Sequence, residues 1–154
     1  MVDEYFVRES HGFAVVFALT PDDRVLLVRQ YKHGVGEVVT ELPAGGMDDD
    51  ESPAACASRE LAEETGYTGA TPEFVRTFLT DPTNSTSRFH VFVVRNATRT
   101  REPQTDITEE IEVDRVPVDE VRAMALDGRI AAGSQVAAVL VALAYLGRQG
   151  GPGG

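Results

Sequence analysis

The chain has 154 residues, 42% apolar and 25% charged, a make-up that suits one globular domain with a sizeable core. Its net charge of −11 gives a surface that repels nucleic-acid backbones and anionic membranes. A lone cysteine, Cys56, excludes an intramolecular disulfide and fits a reducing, cytoplasmic setting. Asp3, Glu4, Arg8 and Glu9 break any signal-peptide pattern, and the longest apolar run, residues 136–146, is too short to cross a membrane.

Taken in order, residues 4–9 alternate weakly and predict a short edge strand. Residues 13–19 and 24–31, parted by the turn Thr20-Pro21-Asp22-Asp23, read as a hairpin of buried strands. His33-Gly34-Val35-Gly36 turns the chain, and residues 37–42 form a short strand leading to Pro43-Ala44-Gly45. Further strands are predicted over 71–80, 89–95 and 111–116, with a polar loop at 81–87 and a charged loop at 99–108. Residues 118–126 read as a helix stopped by Asp127-Gly128, and 136–146 as a second helix rich in Ala, Leu and Val. No repeat or domain boundary is visible. One domain over 1–147 is expected, then a disordered glycine-rich tail over 148–154. Strands, a helix, strands and two helices give an α/β class, a mixed sheet with helices on both faces.

Residues 45–67, GGMDDDESPAACASRELAEETGY, carry the chemistry. Ser52 is a good N-cap, Pro53 suits the first helical position, and Gly66 is the expected stop. The acids at 48–51 suit the positive end of the helix dipole. Glu60, Glu63 and Glu64 then stand at i, i+3 and i+4 on one face, while Ala54, Ala57 and Leu61 fall on another stripe. Like charges so placed repel by roughly a few tenths of a kcal/mol per pair, which calls for a compensating cation. A hard divalent ion takes carboxylate oxygens, water and substrate phosphates. Arg59 can hold Glu51 or a neighbouring glutamate in fixed orientation, and Gly45-Gly46 permits close backbone approach. An acidic solvated helix is the plainer alternative for a single Glu-Glu pair. It does not account for four glutamates, one arginine and bracketing glycines at these spacings.

Every fixed position matches Gly-x5-Glu-x7-Arg-Glu-U-x-Glu-Glu-x-Gly-U, with U apolar or aromatic, so the chain resembles the Nudix hydrolases from about Gly12 to Leu146. The resemblance implies an α/β/α sandwich whose loop–helix–loop binds Mg²⁺ or Mn²⁺ and hydrolyses nucleoside diphosphates linked to another moiety. Carried over residue by residue, it makes Glu60 and Glu64 metal ligands, Glu63 an inner or water-mediated one, and the Ala44 carbonyl a further donor. Arg59 joins Glu63 in the catalytic group, while Gly45, Glu51 and Gly66 are structural. Bound there, the metal neutralises phosphate charge and lowers the pKa of an attacking water.

Outside the box, Arg29-Gln30-Tyr31 and Glu41-Leu42-Pro43-Ala44-Gly45 resemble segments of ADP-ribose and ADP-sugar pyrophosphatases. Pro82 lies where that subfamily carries a proline, although in Asp81-Pro82-Thr83-Asn84 rather than Ser-Pro-Gly. Thr108-Glu109-Glu110-Ile111 resembles the acidic loop that supplies a catalytic base, Glu109 first and Glu110 second; a solvated acidic turn is the alternative. Arg29, Lys32, Glu41 and Pro82 are candidate substrate contacts, Arg29 equally a solvated strand-end charge. His11, His33 and His90 have no partner at metal-ligand spacing, and Tyr31 and Tyr67 read as packing residues. The resemblance further implies a small-molecule nucleotide diphosphate substrate, no nucleic-acid or membrane partner, and a homodimer. The chain is shorter than those pyrophosphatases and lacks most of their N-terminal sheet. Hydrolysis of nucleoside triphosphates or dinucleoside polyphosphates is the alternative enzyme reading. A non-catalytic Nudix-fold module is the third, which the complete set of box carboxylates disfavours.

Overall fold

A computed structural model describes residues 4–104 and 111–149. Its elements run β1 (Phe13–Ala18), β2 (Arg24–Lys32), β3 (Glu37–Glu41), β4 (Ala44–Gly46), α1 (Pro53–Thr65), β5 (Tyr67–Thr68), β6 (Glu73–Leu79), β7 (Arg88–Val94), β8 (Thr98–Arg99), β9 (Ile111–Pro117), α2 (Val118–Asp127) and α3 (Gly133–Gln149). The α/β class and the mixed sheet follow. Strands β4-β1-β7-β6 form one sheet, with β1 and β7 parallel and the other pairs antiparallel. Strands β3-β2-β9 form an antiparallel second sheet, and β5-β8 a small third.

This partition corrects the expected hairpin of the first two strands. β1 and β2 meet only at the bridge Leu19–Val25 and then enter different sheets. Each is apolar on both faces because each is covered on both sides, and such runs carry no pairing information. Residues 4–9 are no strand either. They contribute one bridge, Arg8 to Ser85, and hydrogen-bond along the 81–87 loop, Arg8 N–H to Asn84 O at 2.8 Å. α3 runs through Gln149, past the expected domain end at 147; residues 150–154 lie outside the described residues.

Alternation along β1 sorts the core into two layers. Val15 and Phe17, with Val91 and Val93 of β7, pack against α2, α3 and the link between them through Val121, Ile130, Val139 and Ala142. Ala14 and Val16, with Phe92 and Val94, pack against α1 through Cys56, Ala57 and Leu61. Helices therefore cover both faces, and burial of a side chain such as Leu61 contributes roughly 1.5–3 kcal/mol.

Candidate active site

α1 begins and ends as its local sequence dictates. Ser52 Oγ accepts the Ala55 N–H at 3.2 Å, Pro53 takes the first turn, and Gly66 closes the helix at φ 76° with its N–H on Ala62 O. Gly66 is required twice over, since a Cβ there would stand 2.2 Å from the Arg101 carbonyl oxygen. The acids before the helix do not line its first turn. Glu51 turns back instead, accepting the Asp48 N–H at 3.1 Å and a two-pronged contact from Arg59, Nε and Nη2 each at 2.9 Å.

Arg59 is the hub of the carboxylate face. Its Nη1 donates to Glu60 Oε1 at 2.7 Å and to Glu63 Oε2 at 3.1 Å, and its Nη2 also reaches the Gly46 carbonyl at 2.8 Å. The guanidinium fork holds the Glu51 carboxyl down to a pKa of about 2. Burial pushes the Glu60 carboxyl above its ordinary value, against the pull of Arg59. A Cβ on Gly45 would lie 2.0 Å from Glu60 Cδ, so glycine is there to admit a carboxylate rather than to free the backbone.

Glu64 is held differently. Its Oε2 accepts the Ala44 N–H of β4 at 3.0 Å, and burial pushes its pKa up to about 8. Lys32 and Glu41 both act on it electrostatically. Lys32 Nζ sits 3.0 Å from Glu41 Oε2 and donates to Gln30 Oε1 at 2.8 Å. The ends of β2, β3, β4 and the second half of α1 thus converge on one polar cluster.

Of the predicted site residues, the structure gathers Lys32, Glu41, Ala44, Gly45, Glu51, Arg59, Glu60, Glu63 and Glu64. Arg29 is not among them. Strand residues an odd number apart point to opposite faces, and Arg29 pairs with Glu112 of β9 at 2.9 Å, away from Lys32. Pro82 is an exposed residue of the turn after β6 and touches none of the box carboxylates in the hydrogen-bond and ion-pair network. Glu109 and Glu110 lie outside the described residues. The chain on either side of them borders the cluster: Gln104 N–H donates to Glu63 O at 2.8 Å, and Ile111 is the register partner of Gln30.

Two polar residues escaped the sequence reading. Gln30 stands out in Arg29-Gln30-Tyr31 by no sequence signal, yet it is the residue of that trio bonded to Lys32. Gln135 is 3% exposed, and its Oε1 accepts the Leu42 N–H at 3.0 Å. Its spacing to Ala138, Val139 and Ala142 places it on the inner stripe of α3, a signal lost when the helix is started at Val136. Cys56 is fully buried, its thiol pushed up to about 11 by burial and directed at the Gly45 and Gly46 carbonyls, as a packed core thiol should be.

The donor set suits a hard divalent cation. The buried Glu60 and the half-buried Glu64 share a helix face, each raised by desolvation that a positive charge would relieve, and backbone oxygens of β4 lie alongside. Among the described residues no three acidic, His or Cys side chains already converge on one point, so water and substrate phosphate oxygens would complete the shell.

A carboxylate-bearing helix packed on a mixed sheet, with an arginine organising its acids, is an arrangement able to take a divalent cation. The NUDIX domain model matches residues 10–138, and the chain belongs to that family. Nudix hydrolases generally need a divalent metal ion. The chain is 32% identical over 88 residues to the methanol dehydrogenase activator of Bacillus methanolicus, covering 57% of this chain and 48% of that protein. It is 31% identical over 110 residues to the ADP-ribose pyrophosphatase of Bacillus subtilis (strain 168), covering 71% and 60%. A solved ADP compounds hydrolase superposes with a TM-score of 0.81 at 22% identity, covering 90% of this chain and 74% of that one. The chain spans about half to three-fifths of the length of these two curated relatives.

Proposed function

We propose that the protein hydrolyses the diphosphate linkage of ADP-ribose or a related nucleotide sugar, releasing AMP and a sugar phosphate, with Mg²⁺ or Mn²⁺ as its ion. The observation that carries this is the cluster of Glu60, Glu63 and Glu64 on one helix face beside the β4 backbone, with Lys32 and Glu41 opposite. In this reading Glu60, Glu64 and the Ala44 carbonyl hold the ion, with Glu63 reaching it directly or through water. When bound, the ion screens phosphate charge and acidifies a water molecule.

The remaining work falls to the chain. Arg59 keeps Glu51, Glu60 and Glu63 from repelling one another apart. Lys32, released in part from Glu41, meets a phosphate oxygen, and Glu41 then faces the sugar. A water oxygen attacks one phosphorus, the bond to the bridging oxygen breaks, and that oxygen leaves with the other phosphate. The proton of the water goes to a glutamate of the 105–110 segment, Glu109 first and Glu110 second. A cytoplasmic homodimer belongs to the same reading, supported by the exposed apolar pair Tyr31 and Val38 on β2–β3.

The test is product analysis on ADP-ribose, ADP-glucose, GDP-mannose, NADH, diadenosine polyphosphates and deoxynucleoside triphosphates, with Mg²⁺, with Mn²⁺ and with chelator. Metal-dependent AMP release fastest from ADP-ribose or ADP-glucose is expected. Preference for a triphosphate or dinucleotide overturns the substrate assignment, and no turnover of any compound overturns the enzyme reading.

A further inference from the structure

The link between β3 and β4 has three backbone groups tied to three different elements. Leu42 N–H donates to Gln135 Oε1 of α3 at 3.0 Å. The Pro43 carbonyl accepts the Val16 N–H of β1 at 2.9 Å. Ala44 N–H donates to Glu64 Oε2 of α1 at 3.0 Å. The last two groups belong to one planar peptide, Pro43–Ala44, so a tilt at either end moves both. Leu42 is fully buried and has no water to turn to. Without Gln135 its N–H would be an unmet buried donor, a state the chain relieves by rotating the adjoining peptides.

Gln135 is built to hold that N–H. It is 97% withdrawn from solvent and lies in the first turn of α3, its own N–H bonded to Ala132 O at 3.0 Å. Because a backbone N–H can only donate, the amide oxygen must face Leu42, which fixes the side chain's orientation. The helix behind it is anchored by Ala138, Val139 and Ala142 in the core.

We propose that Gln135 is a positioning residue for the carboxylate centre: by holding Leu42 from α3 it keeps the Pro43–Ala44 peptide turned so that Ala44 N–H stays aimed at Glu64. The inference rests on the metal-binding role proposed for Glu64, and couples a helix that contributes none of the carboxylates to the site's geometry.

The test compares the wild type with Gln135→Met, which keeps length without an acceptor, and Gln135→Glu, which keeps an acceptor at the same reach. Mn²⁺ affinity is read by electron paramagnetic resonance on protein without substrate, beside kcat, KM and thermal unfolding. Gln135→Met should bind Mn²⁺ about fivefold or more weakly and lose kcat with KM nearly unchanged, and Gln135→Glu should recover most of both. Wild-type Mn²⁺ affinity in a folded Gln135→Met, or a Gln135→Glu no better than it, overturns the proposal. Should Gln135→Met not fold, amide exchange in the wild type decides. Leu42 and Ala44 slowing together on Mg²⁺ addition supports it, and Ala44 slowing alone overturns it. A wild type that binds Mn²⁺ but hydrolyses none of the panel sinks the substrate reading and leaves this comparison standing; one that binds no Mn²⁺ sinks both.

Discussion

The glutamates of α1 and of the loop before it are held in two contrasting ways. Glu51, Glu60 and Glu63 share the guanidinium of Arg59, one positive charge among three carboxylates on the same loop and helix. Glu64 has a single backbone N–H from β4 and is pushed up to about 8 by burial. Within the first group Glu51 is held by the folded chain alone, whereas burial still pushes the Glu60 carboxyl up. The second holds a desolvated carboxylate whose charge the fold under-compensates, and such a group waits for a cation. In the proposed reading the difference separates Glu51, which shapes the site, from Glu60 and Glu64, whose desolvated carboxyls favour an ion.

The sharpest way to break the contrast is Glu64→Gln. The amide oxygen can still accept the Ala44 N–H, so the fold should persist, while metal-dependent kcat falls by about two to three orders of magnitude, the cost of losing one preorganised electrostatic contact. Retained turnover of wild-type size would remove Glu64 from the centre.

Proton linkage sharpens it next. Glu64 binds its proton more tightly folded than unfolded, so its contribution to metal-free stability is greatest below about 4.5 and is lost as pH rises toward about 8. An ion must displace that proton. Affinity for Mg²⁺ should therefore rise by up to about tenfold per pH unit between 5 and 8 and level off above. Calorimetry in buffers of differing ionisation enthalpy should register close to one proton released per ion in that window; no release would mean Glu64 is already ionised.

Arg59→Met attacks the other group. Glu51, held down to about 2, contributes stability that is present above about 4.5 and lost as pH falls through 2. Removing Arg59 should flatten that acid limb in denaturant titrations and cost roughly 1–3 kcal/mol at neutral pH, the range for charged hydrogen bonds that are partly exposed. An unchanged acid limb would show that Glu51 has another partner.

The smallest effect is expected from Gly45→Ala. The new methyl meets the end of the flexible Glu60 side chain, not backbone, so Tm should shift little while metal affinity drops several-fold as Glu60 swings aside. A large Tm loss with unchanged affinity would reverse the roles assigned to Gly45 and Glu60.

How much of this was legible in the sequence depends on the distance over which each feature is decided. The limits of α1 are set by Ser52, Pro53 and Gly66 through bonds to residues within four positions, and all three can be read off directly. The pairing of β1 with β7, and of β2 with β9, is decided across the whole domain, and two apolar runs joined by a turn look like a hairpin whatever they pair with. Arg29 is a different lesson. Its separation from Lys32 by three residues already sends the two to opposite faces once a strand is assumed. The convergence of Lys32 with Glu41 is a register fact, and the place of Gln135 depends on where α3 begins. The family resemblance carried the box residues that chemistry alone left open, whereas the role of Glu109 rests on a segment outside the described residues.

The parallel register of Phe13 with Phe89 has a kinetic consequence. The carboxylate helix is a local structure, but the surface it lies on exists only after β1, which precedes the helix, has met β7, which follows it well along the chain. Closing such distant contacts is slow and sets the barrier to folding. An ion that needs both Glu64 and the β4 backbone finds its complete site only past that barrier. It should thus lengthen the lifetime of the folded protein while leaving the speed of folding unchanged.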